Sequence, residues 1–386
     1  MAKYQTFDWP LFLLGLLLSC SGLVYVYSAT WVAHDPPGAY FSILFIKQAC
    51  FILAGIAAFY IFRQVNWGLK PGSWLWFFIP IVIPLFLVLV LGHGKVKTGA
   101  TRWIDLGIID FQPSELAKLG FILILAWFLS SDRSVLERRY FAVLALMCGM
   151  VLLMLLQPDL GTSLVFVFTF FVAAAFSPLR RRLLLLTVLA FVILSVPAWF
   201  VMRDYQRNRL LVFIGLEQAP AEEGGGYRHA NPRGTAYHLK QSLIAVGSGG
   251  LMGKGFLHGT QVRGGFIPVI ESDFIFAVVA EEFGFLGCAY LILLYFLLIG
   301  RLLTIARGAK TAYERLICYG TSAVIFFHVF VAMGMTMRLT PITGLPLPFV
   351  SYGGSSMITV WLLLAINESV YANSRRDLRP NRPTRS

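Results

Sequence analysis

Charged side chains are scarce in this chain. Asp, Glu, Lys and Arg together make up 13% of its 386 residues, and the mean hydropathy is +0.73. Soluble domains carry about 25% charged residues, so the composition excludes a soluble enzyme held by a single anchor. Because 58% of the residues are hydrophobic, the sequence predicts an all-α polytopic membrane protein.

The chain also lacks the short motifs that mark common cofactor sites. It contains no P-loop, no GxGxxG fingerprint and no zinc-binding pattern. Its five cysteines form no CxxC pair and lie in apolar runs, which favours small buried hydrophobic residues over disulfides or metal ligands. The net charge of +13 is spread over short loops, so we expect contact with anionic lipids and no nucleic-acid partner.

Ten apolar segments are long enough to cross a membrane. A cytoplasmic N-terminus puts 18 of the 32 Lys and Arg residues on the cytoplasmic side, as the positive-inside rule requires, and ten spans return the C-terminus to that side. We expect one transmembrane domain over residues 1–372 and a basic cytoplasmic tail over 373–386. The predicted spans are roughly 10–30, 41–62, 73–92, 114–130, 140–157, 160–177, 182–201, 274–300, 313–337 and 354–372.

Polar residues concentrate on the extracytoplasmic side, in the stretches 93–113, 202–273 and 338–356. A transporter that works by alternating access would be expected to place polar residues on both faces. Within the long loop 202–273, residues 206–216 and 237–245 predict two interfacial helices around a glycine-rich insert at 219–232.

Asp273 is the candidate catalytic residue. It lies where a polar, glycine-rich loop ends and a long apolar helix is predicted to begin. Aspartate is a favoured helix N-cap, so a structural role alone explains its position. A carboxylate in a groove flanked by arginines can also stay ionised and accept a proton, as a general base must.

Glu281 and Glu282 follow Asp273 in the same apolar segment. At about 100° per residue, Glu281 lies some 80° around the helix from Asp273, and Glu282 lies nearly opposite it. At most one of the two can therefore face the groove. We expect both to be structural acids that pair with neighbouring parts of the chain.

Glu115 and Lys118 lie three residues apart on the helix predicted after Pro113, so their side chains can meet. They either neutralise each other so that the helix can insert, or form a charged bracket that holds Asp273 or a substrate. Among the basic residues of the outer face, Arg102 and Arg338 are best placed to meet an anionic group, and the arginine fork suits phosphate.

Four ordered motifs resemble the SEDS family (shape, elongation, division and sporulation proteins) over nearly the whole chain. Gly259-Thr-Gln261 and Thr343-Gly-Leu-Pro-Leu-Pro348 are more similar to the elongation type, represented by RodA, than to the division type, represented by FtsW. The four motifs are Arg102-Trp-Ile-Asp-Leu-Gly107, Phe111-Gln-Pro-Ser-Glu-Leu-Ala-Lys-Leu119, Asp273-Phe-Ile-Phe-Ala-Val-Val-Ala-Glu-Glu282 and Pro346-Leu-Pro-Phe-Val-Ser-Tyr-Gly-Gly-Ser-Ser356.

The resemblance implies a peptidoglycan glycosyltransferase of the bacterial cytoplasmic membrane with its active site on the extracytoplasmic face. It implies that Asp273 is the catalytic aspartate and that Glu115 and Lys118 are a required pair. The growing glycan would pass from its undecaprenyl pyrophosphate carrier to the 4-hydroxyl of lipid II, for elongation of the wall. A lipid II flippase, a division-type polymerase and a non-catalytic scaffold are the alternatives.

The resemblance also implies protein partners, and the residues themselves suggest a set of substrate contacts. A class B penicillin-binding protein and other membrane proteins of the elongation complex are the expected partners. Mg²⁺ or Mn²⁺ is a candidate cofactor with Asp273 as a ligand, and no other cofactor is expected. The candidate residues for binding the pyrophosphate or the sugar are Arg102, Gln261, Arg263, Arg338, Ser351 and Tyr352.

Overall fold

Helices dominate the fold and coincide with the predicted spans wherever the structure describes them. The computed structural model describes residues 7–31, 42–65, 67, 79, 82–88, 102–105, 110–202, 204–215, 235–267 and 269–376. The predicted span at 73–92 lies mostly outside these residues, although 82–88 are helical. The helices are α1 Trp9–Trp31, α2 Ile43–Phe62, α3 Pro113–Leu129, α4 Arg133–Leu156, α5 Leu160–Ala175, α6 Arg181–Val201, α7 Asp204–Ile214, α8 Thr235–Ser248, α9 Thr260–Arg263, α10 Ile275–Gly308, α11 Ala312–Thr336 and α12 Gly354–Arg376.

Six of the described helices, α1, α2, α4, α10, α11 and α12, are long and apolar enough to cross a membrane. Their outward faces carry large exposed hydrophobic side chains, among them Phe141 and Phe296, which are 76% and 71% exposed. Apolar faces of this size are stable against lipid rather than water. The chain is therefore a multi-pass membrane protein.

Two apolar cores hold the bundle together. One is formed mainly by α1, α2, α10 and α12, and the other by α3, α4 and α5, while α11 contributes residues to both. Trp361 of α12 is fully buried and fills the space next to Gly15 of α1 and Gly55 of α2. Small residues at these positions let the three helices approach closely, which is how helices associate in lipid.

Helix α10 is interrupted at Gly284, whereas the sequence predicts a continuous helix over 274–300. Gly284 has φ 62° and ψ −156°, a conformation that is open almost only to glycine. The backbone groups freed by the break are paired by the loop 250–255: Lys254 N–H donates to the Glu281 carbonyl at 2.9 Å, and Phe285 N–H donates to the Gly250 carbonyl at 2.9 Å. The break separates a short helix after Asp273 from the spanning part of α10.

Three further elements precede α3 and α10 in the chain. The two helices predicted in the long loop are present as α7 and α8, while the predicted insert at 219–232 lies outside the described residues. A short antiparallel ribbon, which an all-α fold does not predict, pairs β1 Ile104–Asp105 with β2 Asp110–Phe111. The ribbon ends just before Pro113, which fixes the start of α3 and favours an extended chain before it.

Candidate active site

Asp273 lies in the turn that precedes α10, and the loop after α11 holds that turn in place. The Ser272 hydroxyl donates to Asp273 Oδ1 at 3.1 Å. The Ser351 hydroxyl donates to the Ser272 carbonyl at 2.5 Å, and Tyr352 N–H donates to the Glu271 carbonyl at 2.9 Å. Two residues predicted to bind substrate, Ser351 and Tyr352, therefore contact the two residues before Asp273.

Gln48 of α2 fixes the same loop from the other side. Its side-chain amide donates to the Ser351 carbonyl at 3.2 Å, and its carbonyl oxygen accepts from Gly353 N–H at 3.3 Å. Gln48 is completely buried, so these two hydrogen bonds satisfy a polar group that would otherwise be costly in the bundle. The position of the Asp273 turn thus depends on a residue more than two hundred positions away.

Gly344 brings the backbone of the α11–α12 loop against the Asp273 carboxylate. Its φ is +73°, and a Cβ added there would lie 3.3 Å from Asp273 Oδ2. A side chain at this position would adopt the left-handed conformation that L-residues avoid and would crowd the carboxylate. The neighbouring Thr343 is buried, and its hydroxyl has no hydrogen-bond partner among the described residues.

The electrostatic surroundings of Asp273 act in opposite directions. Burial of the carboxyl among protein atoms raises its pKa above the ordinary value of 3.8, and this effect outweighs the others. The hydrogen bond from Ser272 lowers the pKa, as does the positive charge of Arg209; the charge of Glu271 raises it and that of Arg102 lowers it. The outcome is a carboxylate with a raised pKa, as suits a general base.

The arginines differ in how they relate to Asp273. Arg209 of α7 is the basic residue with the larger effect on it, and its guanidinium donates to the Ile342 carbonyl at 3.1 Å. Arg102 donates to the Gln157 and Pro158 carbonyls and lies 3.6 Å from Asp159, so it also fastens the α4–α5 turn. Arg338 is exposed, and its guanidinium contacts the Val212 carbonyl at 3.4 Å instead.

Glu115 and Lys118 form a buried ion pair, with Lys118 Nζ 2.8 Å from Glu115 Oε2. Lys118 Nζ also lies 3.0 Å from Nε2 of His328, and Nδ1 of His328 lies 3.1 Å from the Pro346 carbonyl oxygen. An ammonium group only donates, so Nε2 must accept and Nδ1 must carry the proton that it donates to Pro346. The pair is thus connected to the loop at Asp273 through His328.

A metal cage built from protein ligands is absent from the part of the chain that the structure describes. No three His, Cys, Asp or Glu side chains come together there. Mg²⁺ is commonly held by one or two carboxylates together with substrate phosphates, for which Asp273 and Glu271 are the local acids. A divalent cation at Asp273 stays a prediction.

Comparison with known proteins decides the family. A family model described as cell cycle protein, of the FtsW/RodA/SpoVE type, matches residues 8–376. The chain belongs to this family.

Relatives of the FtsW/RodA/SpoVE family cover most of the chain. It is 39% identical to peptidoglycan glycosyltransferase MrdB of Escherichia coli strain K12 over 300 residues, which are 77% of this chain and 78% of MrdB. It is 34% identical to stage V sporulation protein E of Bacillus subtilis strain 168 over 382 residues, 95% of this chain and 98% of that protein.

Solved structures of the family share the fold. A chain from a peptidoglycan synthase complex that coordinates polymerization and crosslinking matches with a TM-score of 0.76 and 30% identity, covering 97% of this chain and 100% of that one. The crystal structure of Thermus thermophilus rod shape determining protein RodA matches with a TM-score of 0.67 and 29% identity, over 97% and 99% of the two chains.

In this member of the family, the Glu281 carboxylate is bound by the loop residues 254–262 rather than placed beside Asp273. Its carboxylate accepts from Gln261 N–H at 2.9 Å, from Val262 N–H at 3.1 Å and from Lys254 Nζ at 2.6 Å. These partners include the first turn of α9, where the helix dipole favours a negative charge. Glu282 accepts from the Ser28 hydroxyl of α1 at 2.7 Å.

Gln261 and Arg263, predicted at the rim of a sugar site, lie in the short helix α9, where Gln261 N–H donates to Glu281. Glu281 is eight residues beyond Asp273, or about 12 Å along a helix axis. The Gln261 side-chain carbonyl is buried without a hydrogen-bond partner among the described residues, and Arg263 is exposed. A direct contact of both residues with a substrate at Asp273 would require a ligand that reaches this far.

Sequence reasoning did not select Arg209, His328, Gly344 or Gln48. Arg209 was one of several basic residues in the outer loops, with nothing local to distinguish it. His328 lies alone in the apolar helix α11, and a buried histidine in a membrane helix is a signal that could have been followed. Gly344 and Gln48 act through contacts with residues that are distant in sequence.

Proposed function

We propose that this chain is an elongation-type peptidoglycan glycosyltransferase that polymerises glycan strands from lipid II. The observation that carries the proposal is the Asp273 carboxylate: it has a raised pKa, lies near two arginines and is held by the α11–α12 loop. The family relatives named peptidoglycan glycosyltransferase support the same activity. The identity of 39% to MrdB, against 30% to an FtsW of Geobacter metallireducens, favours the elongation type.

The reaction that suits this geometry is a single inverting displacement. Asp273 accepts the proton of the 4-hydroxyl on the acceptor sugar, and that oxygen forms a bond to the anomeric carbon of the donor glycan. The bond from the anomeric carbon to the pyrophosphate breaks, and undecaprenyl pyrophosphate leaves with the electron pair. Arg209 and Arg102 offset the charge that develops on the leaving group.

A polyprenyl tail requires a groove that opens to lipid. The distribution of Lys and Arg supports a site at the outer surface of the cytoplasmic membrane, with both termini inside and ten spans. The neighbour from a peptidoglycan synthase complex supports a partner that cross-links peptides, for which a class B penicillin-binding protein has the right chemistry. Anionic lipids would surround the basic cytoplasmic loops.

The deciding experiment uses purified protein, with and without the penicillin-binding protein, and lipid II in detergent. Gel separation of glycan chains is expected to show polymer for the wild type and none for Asp273→Asn. A flippase would form no polymer in detergent but would translocate lipid II in liposomes. A scaffold would complement cell shape in an Asp273→Ala strain, and that result would also refute the proposal.

A further inference from the structure

Two adjoining cavities lie at the end of the bundle remote from Asp273. A groove of 570 Å³ runs between α1 and α10, and a smaller cavity of 130 Å³ lies between α10 and α12. Arg301 and Thr304 line both, so the two cavities adjoin at these side chains. Arg301 follows Phe285 by 16 residues, or about 24 Å along α10, which places the cavities at the membrane face opposite Asp273.

The larger groove is apolar and open to the outside of the bundle. Leu13 and Leu17 of α1 are 45% and 47% exposed, and Phe296 and Leu297 of α10 are 71% and 45% exposed. Gly300 contributes no side chain, and a Cβ added there would meet no atom within 4 Å. A groove of this volume and apolar lining suits a single acyl chain.

The smaller cavity is basic. The Tyr371 ring contacts two guanidinium groups, with Arg301 Cζ 5.4 Å and Arg375 Cζ 5.6 Å from its centroid. Arg301 forms an ion pair with the buried Asp8 at 2.8 Å, which fixes the direction of its side chain and compensates its charge. The positive charge of this cavity therefore comes from Arg375, and no acid is among the described residues that line it.

We propose that the two cavities together bind one anionic phospholipid of the inner leaflet. Its phosphate lies against Arg375 at the edge of the Tyr371 ring, and one acyl chain follows the groove beside Gly300. Basic pockets between membrane helices bind anionic lipid head groups, and here the basic cavity adjoins an apolar groove. A transmembrane helix of a partner, about 10 Å wide, would cover the groove but leave the basic cavity without a counter-charge.

This lipid site is distinct from the proposed lipid II site, because the two lie at opposite faces of the membrane. It goes beyond glycosyl transfer and does not depend on it. The occupied site would join α1, α10 and α12 at the inner face. The other end of α10 begins directly after the Asp273 turn. Lipid composition of the inner leaflet would then affect the helix that carries the catalytic turn.

The head-group contact is tested on full-length protein in detergent, by native mass spectrometry during titration with dioleoyl phosphatidylglycerol or dioleoyl phosphatidylcholine. The wild type is expected to retain one phosphatidylglycerol in preference to phosphatidylcholine. Arg375→Gln is expected to weaken this binding about fivefold, the effect of one basic residue at an anionic surface. The control is Arg307→Gln, an exposed arginine at the same helix end that does not line the cavity.

The acyl-chain contact is tested with Gly300→Phe, whose Cβ would meet no protein atom within 4 Å and whose ring would occupy the groove. Phosphatidylglycerol binding is expected to fall by at least about tenfold. Gly149→Phe is the matched control, since Gly149 lies in the middle of α4 and a Cβ there also meets nothing within 4 Å. The melting temperatures of both variants report whether the fold is intact.

Several outcomes would overturn the proposal. If phosphatidylcholine binds as tightly as phosphatidylglycerol, the proposed head-group contact is wrong. If Arg307→Gln weakens binding as much as Arg375→Gln, the attraction comes from diffuse surface charge. Competition by inorganic phosphate together with unchanged binding to Gly300→Phe would show a phosphate site without an acyl chain. A clear preference for undecaprenyl phosphate over phosphatidylglycerol would assign the site to a different lipid.

Discussion

Burial disfavours the charged form of the Asp273 carboxyl, and this is the larger effect. Ser272 and two arginines favour the charged form. The folded protein therefore binds a proton more readily than the unfolded chain at pH values between 3.8 and the raised pKa. Stability falls as pH rises through this window, and above it the ionised carboxylate lowers the free energy of unfolding. A base that destabilises its own fold is a common feature of active sites.

Asp273→Asn is accordingly expected to abolish catalysis and raise stability. Loss of a general base reduces the rate of glycan polymerisation by about 10²- to 10⁴-fold, while the neutral amide removes the burial penalty at neutral pH. Thermal unfolding measured across pH should show the gain in melting temperature shrink as pH falls towards 3.8. Wild-type activity should fall over the same acidic range. A variant that polymerises normally, or that melts below the wild type at neutral pH, would contradict this account.

Gly344→Ala tests the position of the Asp273 carboxylate without removing its charge. The substitution introduces left-handed strain of about 1–2 kcal/mol and puts a methyl group 3.3 Å from Asp273 Oδ2. We expect polymerisation to fall by about tenfold or more, because small displacements of a reacting group are costly. Gly250→Ala is the control: Gly250 has φ +59° and open space at its Cβ. If both variants lose activity equally, backbone strain rather than contact with Asp273 is responsible.

Asp273 could be selected from the sequence because a carboxylate at a loop–helix boundary is rare near a membrane. Its electrostatic partner Arg209 could not be selected, because the outer loops hold several arginines and only the tertiary structure brings this one close. Gly344 could not be selected either, because the local sequence of a Pro- and Gly-rich loop does not indicate which glycine contacts Asp273.

At the scale of elements, hydrophobic length predicts where helices lie but not where they break. Apart from Glu281 and Glu282 the segment around Gly284 is apolar, and an isolated glycine is tolerated inside a helix, so the sequence does not specify an interruption there. The break is stable because the backbone of residues 250–255 supplies the missing hydrogen bonds at 2.9–3.1 Å. Gly284 is buried, and an unpaired backbone group there would cost several kcal/mol, since a hydrogen bond in an apolar medium is worth about 4–6 kcal/mol. The break at Gly284 is therefore caused by a tertiary contact with residues 250–255.

The chain Glu115–Lys118–His328–Pro346 connects α3 and α11 to the loop that carries Gly344. Each member is buried or half-buried, and each link lies between 2.8 and 3.1 Å. The two interpretations of the Glu115–Lys118 pair are thus compatible: the charges neutralise each other, and they also fix a loop of the site. His328 is a positioning residue in this arrangement.

Substitutions of His328 test whether it acts by anchoring the loop at Pro346 or by supporting the buried Glu115–Lys118 pair. Asparagine can place a donor near Nδ1 and keep the bond to Pro346, whereas glutamine reaches towards Nε2 and Lys118. If the loop is what matters, His328→Gln should lower polymerisation by about 10- to 100-fold, and His328→Asn should lose less. Lys118 keeps Glu115 as its partner in both variants, so melting temperatures should stay similar. The reverse order of activities would assign the role to the ion pair.

For the whole molecule, nine of the ten predicted spans have helical counterparts in the described residues, because the length of an apolar run is a local property. The ribbon at 104–111 and the close packing of three helices at Trp361 depend on contacts between distant segments. Orientation in the membrane follows only from the distribution of Lys and Arg.

Membrane orientation is tested by labelling single introduced cysteines in intact cells with a membrane-impermeant maleimide. Met252, which is 75% exposed in the loop beside the Gly284 break, belongs to the same side as Asp273, and Lys310 belongs to the α10–α11 connection at the other side. Met252→Cys should label in intact cells, whereas Lys310→Cys should label only after permeabilisation. The wild type is the control for its own cysteines, which all lie within helices. Labelling of Lys310→Cys from outside would place Asp273 in the cytoplasm, where an extracytoplasmic polymerase could not use it.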